Sequence, residues 1–164
     1  MTGRRSPQPA GEARHTDAKA ALTAAIALLA RRDLPSTELH EKLRAQAFDE
    51  ATAAQVIADL RHEGTLNDER YAQNYVAYHA GRGHGPMRIA AELRRRGLAA
   101  AMVDAALAGG PDWGELARKV CRARFGPNPP ASWALKARQV RFLQYRGFSS
   151  DHIRVATGTD PDVD

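Results

Sequence analysis

Apolar residues recur along this chain at the spacing of an α-helix, and the pattern restarts about every fifty residues. In the first cycle, Leu22, Ile26 and Leu29 lie at i, i+4 and i+7, which predicts the buried face of a helix over residues 17–32. Pro35 then opens a second helix, and Asp49 is a preferred N-cap for a third. The first cycle therefore reads as a three-helix unit.

Two further cycles follow with the same order of helices. Asn67 begins the second cycle, Asp112 with Glu115 begins the third in the pattern of a capping box, and Ser149 caps the last helix. The predicted fold is all-α, with three tandem three-helix repeats at residues 17–66, 67–110 and 111–156. Residues 1–16 are expected to form a disordered basic tail, and residues 157–164 an acidic tail. Because one such unit buries little apolar area alone, we expect the repeats to stack into an elongated array.

A tight turn between the second and third helices of each cycle repeats most faithfully. Each turn pairs a leucine with a large apolar residue five positions later, and the pairs are Leu43 and Phe48, Leu93 and Leu98, and Leu143 and Phe148. Gly97 and Gly147 stand just before the large residue, where a helix end favours a left-handed conformation. Ala47 takes that place in the first cycle. Because a left-handed alanine costs about 1 kcal/mol, we expect a different or distorted helix end there.

The composition indicates a polyanionic or acidic partner. The net charge is +5, with 20 Arg and only 4 Lys, and residues 111–156 carry a net charge of +6, with 9 basic and 3 acidic residues. The single cysteine, Cys121, excludes an internal disulfide and is expected to be a buried thiol. The longest apolar run, residues 20–30, is too short to span a bilayer, so a cytoplasmic protein is expected.

No arrangement of residues indicates an active site, and neither a cofactor nor a metal site is expected. The six histidines lack the spacing of metal ligands, and the closest pair, His79 and His84, lies at the glycine-rich loop GRGHGP of residues 81–86. No strand precedes this loop and no GKS or GKT follows it, so we predict a flexible connector rather than a nucleotide-binding loop. Ser149 and Ser150 are better explained as a helix cap than as a nucleophile.

Basic residues form two candidate binding clusters. The first ends a helix of the second repeat and consists of Arg94, Arg95 and Arg96. The second lies on a helix of the third repeat and consists of Lys136, Arg138, Arg141, Tyr145 and Arg146. Arg138 and Arg141 share a helix face, and Tyr145 follows Arg141 at i+4. Basic side chains around an aromatic ring suit the phosphates and bases of nucleic acids, and they suit a protein interface equally well.

Three segments of the chain resemble the RecX family, whose members regulate the RecA recombinase. Residues 68–98 resemble the central segment of the family, residues 136–153 its C-terminal segment and residues 27–48, more loosely, its N-terminal segment. The resemblance implies three tandem three-helix repeats in a curved, extended molecule that is not an enzyme. It also implies binding in the groove of the RecA filament on single-stranded DNA. Such binding would inhibit ATP hydrolysis, strand exchange and co-protease activity, and would so modulate DNA repair and the SOS response.

The charged residues of the matching motifs are candidate contacts, and they are Arg70, Arg88, Glu92, Lys136, Arg138 and Arg141. The chain departs from the family pattern at Ala47, where glycine is usual, at His79, where arginine is common, and at TGTD, where the final helix breaks early. We therefore expect a monomeric, non-enzymatic regulator that binds RecA and its filament. The alternative is an independent DNA-binding protein built of tandem helix-turn-helix-like modules.

Overall fold

The structure is a computed structural model that describes residues 16–158. Within this range the chain forms nine α-helices and no β-strand. The helices are α1 (Ala18–Arg31), α2 (Ser36–Ala45), α3 (Glu50–His62), α4 (Asp68–Gly81), α5 (Pro86–Arg95), α6 (Ala100–Ala108), α7 (Trp113–Phe125), α8 (Trp133–Arg146) and α9 (Ser150–Thr157). The predicted all-α class is confirmed. The predicted basic tail, except for Thr16, and the acidic tail beyond Gly158 lie outside the described residues.

Side chains at the starts of the helices supply most of the predicted caps. The carboxylate of Asp49 accepts a hydrogen bond from the Thr52 amide at 2.7 Å, and that of Asp112 accepts one from the Glu115 amide at 3.0 Å. At α9 the cap is reciprocal, because the Ser149 hydroxyl accepts from the backbone of His152 while the His152 side chain accepts from the Ser149 amide. These bonds satisfy amides that have no partner within their own helix, so each helix starts where the sequence predicts.

The three tight turns share one backbone conformation, including the one at Ala47. The φ angle is 71° at Ala47, 87° at Gly97 and 93° at Gly147, and the hydrogen-bond pattern is the same at each turn. In the first turn the Ala47 amide donates to the Arg44 carbonyl at 3.0 Å and the Phe48 amide to the Leu43 carbonyl at 3.3 Å. The expectation of a different helix end at Ala47 is therefore wrong. The hydrogen bonds of the turn and the burial of Phe48 hold this exposed alanine in the left-handed region despite its steric cost.

The chain divides into two compact units, one ending at Tyr71 and one beginning at Ala72. The core of the first unit is built largely from Leu39, Leu43, Phe48, Ala53, Val56 and Leu60. Helix α2 of this unit begins at Ser36, and the residue before it, Pro35, has no side-chain acceptor that could cap the helix. The carboxylate of Asp68, distant in sequence, accepts from that Ser36 amide at 2.8 Å and also pairs with Arg61 at 3.3 Å.

The buried face of α1 differs from the predicted one. Ala21 and Ala25 are fully buried, whereas Leu22 and Ile26 are 36% and 52% exposed. Leu29 is only partly buried. The small alanine side chains allow the backbone of α1 to approach α3 closely, and that approach turns the larger residues outward. The helical period of α1 was predicted correctly, but the face was not.

In the second unit the glycine-rich loop is held in place by the turn between α8 and α9. The Gly85 amide donates to the Arg146 carbonyl at 2.7 Å, and the Met87 amide donates to the Gly147 carbonyl at 3.0 Å. A Cβ atom on Gly85 would lie 2.3 Å from the carbonyl carbon of Gly147, so only glycine fits here. The prediction of a flexible connector is wrong, because these contacts fix the loop between two repeats.

One further prediction for the second unit, the buried thiol of Cys121, is confirmed. Cys121 is buried beside Leu143, Phe148 and Ile153, and burial raises the pKa of its thiol. None of the helices between residues 16 and 158 is long and apolar enough to cross a membrane.

Candidate functional site

Helix α8 presents a polar, aromatic face to solvent. Arg138, Arg141 and Tyr145 lie at i, i+3 and i+7, all three are exposed, and Tyr145 is 83% exposed. The opposite face carries Gln139 and Leu143, which are buried and hold the helix on the unit. The predicted sharing of one face by the two arginines and Tyr145 is confirmed. We call Arg138, Arg141 and Tyr145 the α8 face.

The cations of the α8 face are available for a partner. Across residues 16–158, neither Arg138 nor Arg141 has a carboxylate within ion-pair distance, whereas Arg154 pairs with Asp151 at 2.9 Å. The helix itself is anchored at both ends, by the Ser132 hydroxyl at its start and by the left-handed Gly147 at its end. A well-anchored helix with unpaired guanidinium groups can bind an anionic surface without first breaking internal ion pairs.

Lys136 and Arg146, the other cations of this predicted cluster, are placed differently. Lys136 is only partly exposed. The Arg146 guanidinium donates to the Arg82 carbonyl at 3.2 Å and lies 5.2 Å from the centre of the Phe142 ring. Arg146 therefore helps to hold the glycine-rich loop.

The arginines that end α5 divide in the same way. Arg94 pairs with Asp104 at 3.4 Å, and the Arg96 guanidinium lies 5.3 Å from the centre of the Tyr75 ring. Arg95 is exposed, and among the described residues it has no ion-pair or hydrogen-bond partner. Of the three arginines in this predicted cluster, Arg95 is therefore the one whose guanidinium is available to a partner.

Arg88 belongs to a polar network that joins α4 to α5. Its Nε donates to Glu92 Oε1 at 3.1 Å, and the Tyr75 hydroxyl donates to Glu92 Oε2 at 2.6 Å. Burial, together with the neighbouring Glu92 carboxylate, raises the pKa of Tyr75 to about 12. Burial acts to raise the pKa of Glu92, but the hydrogen bonds from Tyr75 and Arg88 outweigh it and lower that pKa. Arg88 also lies beside Gly147, since a Cβ on that glycine would lie 2.3 Å from the Arg88 Cβ.

Two histidines extend this network. His79 Nδ1 and His84 Nδ1 are 3.1 Å apart, and the His79 ring lies 4.1 Å from the Tyr75 ring. Burial lowers the pKa of both histidines, and the guanidinium of Arg88 lowers both further, so the pair favours the neutral state. Among the described residues no group of three or more His, Cys, Asp and Glu side chains could hold a metal ion.

Arg70 is engaged with its own turn. Its guanidinium donates to the Gly64 carbonyl at 3.3 Å and to the Thr65 carbonyl at 3.1 Å, and it thereby ties α4 to the preceding loop. Two cations of α7, Lys119 and Arg124, are exposed but are not among the residues predicted for a site. Their signal was the density of basic residues at 118–124, where Arg118, Lys119, Arg122 and Arg124 occur together.

Comparison with known proteins identifies similar chains. Three family models match, described as the first, second and third three-helix domains of RecX, at residues 21–60, 67–107 and 114–156. The regulatory protein RecX of Halorhodospira halophila is 40% identical over 142 residues, which cover 86% of this chain and 88% of that protein. The regulatory protein RecX of Vibrio campbellii is 41% identical over 134 residues, covering 81% and 86%. The crystal structure of RecX from Lactobacillus salivarius superposes with a TM-score of 0.76 at 23% identity, over 85% of this chain and 94% of that one.

Proposed function

Because this chain belongs to the RecX family, we propose that it regulates RecA by binding to it, and that it acts without catalysing a reaction of its own. Membership of the family supports RecA as the partner. The observation that supports a binding role is the α8 face, on which two arginines without an ion-pair partner among residues 16–158 precede an exposed tyrosine by two turns and one turn of the helix. Arginine and tyrosine are the residues that protein interfaces favour as energetic centres.

We propose that the α8 face contacts the RecA filament on single-stranded DNA, at acidic protein groups or exposed phosphates. Arg95 is the second candidate contact, because it too is exposed and unpaired within the described part of the chain. Contacts of modest strength on two repeats would engage neighbouring RecA subunits together, so their effects would combine through avidity.

The proposed consequence is a filament held in one geometry. A protein that binds one conformation more tightly than another shifts the equilibrium toward the first. If ATP hydrolysis and strand exchange depend on changes in the conformation of the filament, both should slow. Co-protease action should fall if the bound protein occupies the same groove. These three effects would modulate DNA repair and the SOS response.

The test is RecA ATPase on single-stranded DNA with this protein added below the concentration of RecA. The wild-type protein should inhibit, and the double variant Arg138→Glu/Arg141→Glu should need about tenfold more protein for the same inhibition, since two interface charges are reversed. The matched control is Lys19→Glu/Arg31→Glu, which makes the same charge change at exposed positions of α1. Circular dichroism must show both variants folded. Lack of inhibition by the wild type would remove the proposed function, and equal potency of the two variants would remove the α8 face.

Direct DNA binding is the second candidate, since the same unpaired arginines and exposed tyrosine suit phosphates and bases. It makes a separate prediction. If phosphate contacts dominate, the affinity for bare single-stranded DNA should fall by about 0.7 log units per decade of salt for each contact. Fluorescence anisotropy with a labelled oligonucleotide measures that slope. Weak binding to bare DNA together with full inhibition of RecA would favour the protein interface.

A further inference from the structure

A cavity of about 400 Å³ opens between α4, α7 and α8 of the second unit. Ala80, Leu116, Val120 and Phe142 form its apolar wall. Ala80 is buried, whereas Lys119, Ala123 and Arg124 are exposed at its rim. The volume falls in the range of ligand pockets and accommodates one or two large apolar side chains.

The cations that line the cavity have no acidic partner among the described residues. Arg82, Lys119, Arg124 and Arg146 all contribute to its lining, and none of the described residues that line it is acidic. No carboxylate between residues 16 and 158 lies within ion-pair distance of any of the four, whereas Arg118 of the same α7 pairs with Glu115. Their charges are therefore uncompensated around an apolar surface, an arrangement complementary to a partner that is both acidic and apolar.

The aromatic ring in the cavity distinguishes a peptide from a nucleic acid. The Phe142 ring already holds the Arg146 guanidinium at 5.2 Å and packs perpendicular to Phe125 at 5.3 Å. Bases bind such sites by stacking on open aromatic faces, and here the ring is engaged on two sides. The rest of the wall is aliphatic and suits an aliphatic or aromatic side chain.

We propose that this cavity binds an acidic peptide segment of a partner protein, which inserts one large apolar side chain between α7 and α8 while its carboxylates pair with the four cations. The site is distinct from the α8 face: its cations are Arg82, Lys119, Arg124 and Arg146. The proposal does not depend on RecA being the partner, so it can fail or succeed apart from the proposed function.

The test uses the full chain and short fluorescein-labelled peptides in which Asp and Glu flank a single Leu, Phe or Trp. Anisotropy should show saturable binding of at least one of them, and Arg124→Glu should weaken that binding about tenfold. The matched control is Arg122→Glu, the same change two residues away on α7 at an exposed position that does not line this cavity. Ala123→Trp, which fills the mouth without changing the charge, should also weaken binding.

Two peptide controls and one nucleic-acid control complete the design. Replacing the central apolar residue with Ala, or the acidic residues with Asn and Gln, should abolish binding. Equal weakening by Arg122→Glu and Arg124→Glu would mean that only net charge matters and would overturn the proposal. So would binding of a labelled single-stranded oligonucleotide that is lost in Arg124→Glu and Ala123→Trp, if no peptide binds. Failure of every peptide to bind would overturn it as well.

Discussion

Replacing Ala47 with glycine should stabilise the first unit, although it removes a methyl group. Ala47 has a φ of 71° and is the one residue other than glycine with a positive φ in the described range. The equivalent positions of the other repeats are Gly97 and Gly147, which adopt the same conformation without a Cβ. The chain therefore contains its own reference for this substitution.

Two opposing effects determine how much Ala47→Gly changes the free energy of unfolding. A left-handed conformation costs an L-residue about 1–2 kcal/mol, and glycine removes that cost. Glycine also has more freedom in the unfolded chain, which offsets about 0.4–1 kcal/mol of the gain. The net stabilisation expected for Ala47→Gly is therefore about 0.5–1 kcal/mol, taking these two terms together.

The measurement must report on the first unit by itself, because the chain contains two compact units and its unfolding need not be two-state. Native-state hydrogen exchange read by mass spectrometry meets this need. Peptides that cover α2 and α3 should show slower exchange in Ala47→Gly than in the wild type. Peptides from α7 to α9 should exchange at unchanged rates.

The reverse substitutions test the same reasoning. Gly97→Ala should destabilise its own repeat by a similar amount. Gly147→Ala should cost more, because its Cβ would lie 2.3 Å from the Arg88 Cβ and 2.7 Å from the Arg88 amide nitrogen. Faster or unchanged exchange in Ala47→Gly would refute the argument. It would mean that packing of the Ala47 methyl group outweighs the steric cost of its left-handed backbone.

Two other predictions concern the second unit. Gly85→Ala should destabilise this unit by about 1–3 kcal/mol, because the added Cβ would overlap the Gly147 backbone. The control is Gly81→Ala, which should be neutral or slightly stabilising because the space around its Cβ is open. Urea unfolding followed by the fluorescence of Trp113 and Trp133 measures both, and equal effects would contradict the close approach. One of the four tyrosines, Tyr75, should ionise at about pH 12 by ultraviolet absorbance, and Glu92→Gln should lower that pKa. Because the fold favours neutral Tyr75, its contribution to stability is complete below pH 10 and is lost between pH 10 and 12; ionisation of all four tyrosines near pH 10 would contradict it.

Structural features that depend only on neighbouring residues could be predicted from the sequence. The starts of α3, α7 and α9 follow from Asp49, Asp112 and Ser149, because a capping side chain bonds to an amide two or three residues away. The α8 face follows from the period of the helix, which places Arg138, Arg141 and Tyr145 on one side whatever lies around them. The repeated turn is equally local, and so the all-α class and its period could be predicted from the residues alone.

Features that depend on packing between distant segments could not be predicted from the sequence. The period of α1 fits both Leu22–Ile26 and Ala21–Ala25, and only the close approach of α3 selects the alanines. The fixing of the loop at Gly85 could not be predicted, since it depends on backbone contacts to Arg146 and Gly147. The left-handed Ala47 could not be predicted either, because the steric cost of its Cβ argues against a conformation that the hydrogen bonds of the turn and the burial of Phe48 nevertheless maintain. The cavity is of the same kind, because Arg82, Lys119 and Arg146 come from three helices or loops and meet only in the folded chain. Helix periods and caps are local interactions, whereas the choice of buried face and the strain a residue bears depend on the free energy of the whole packed unit.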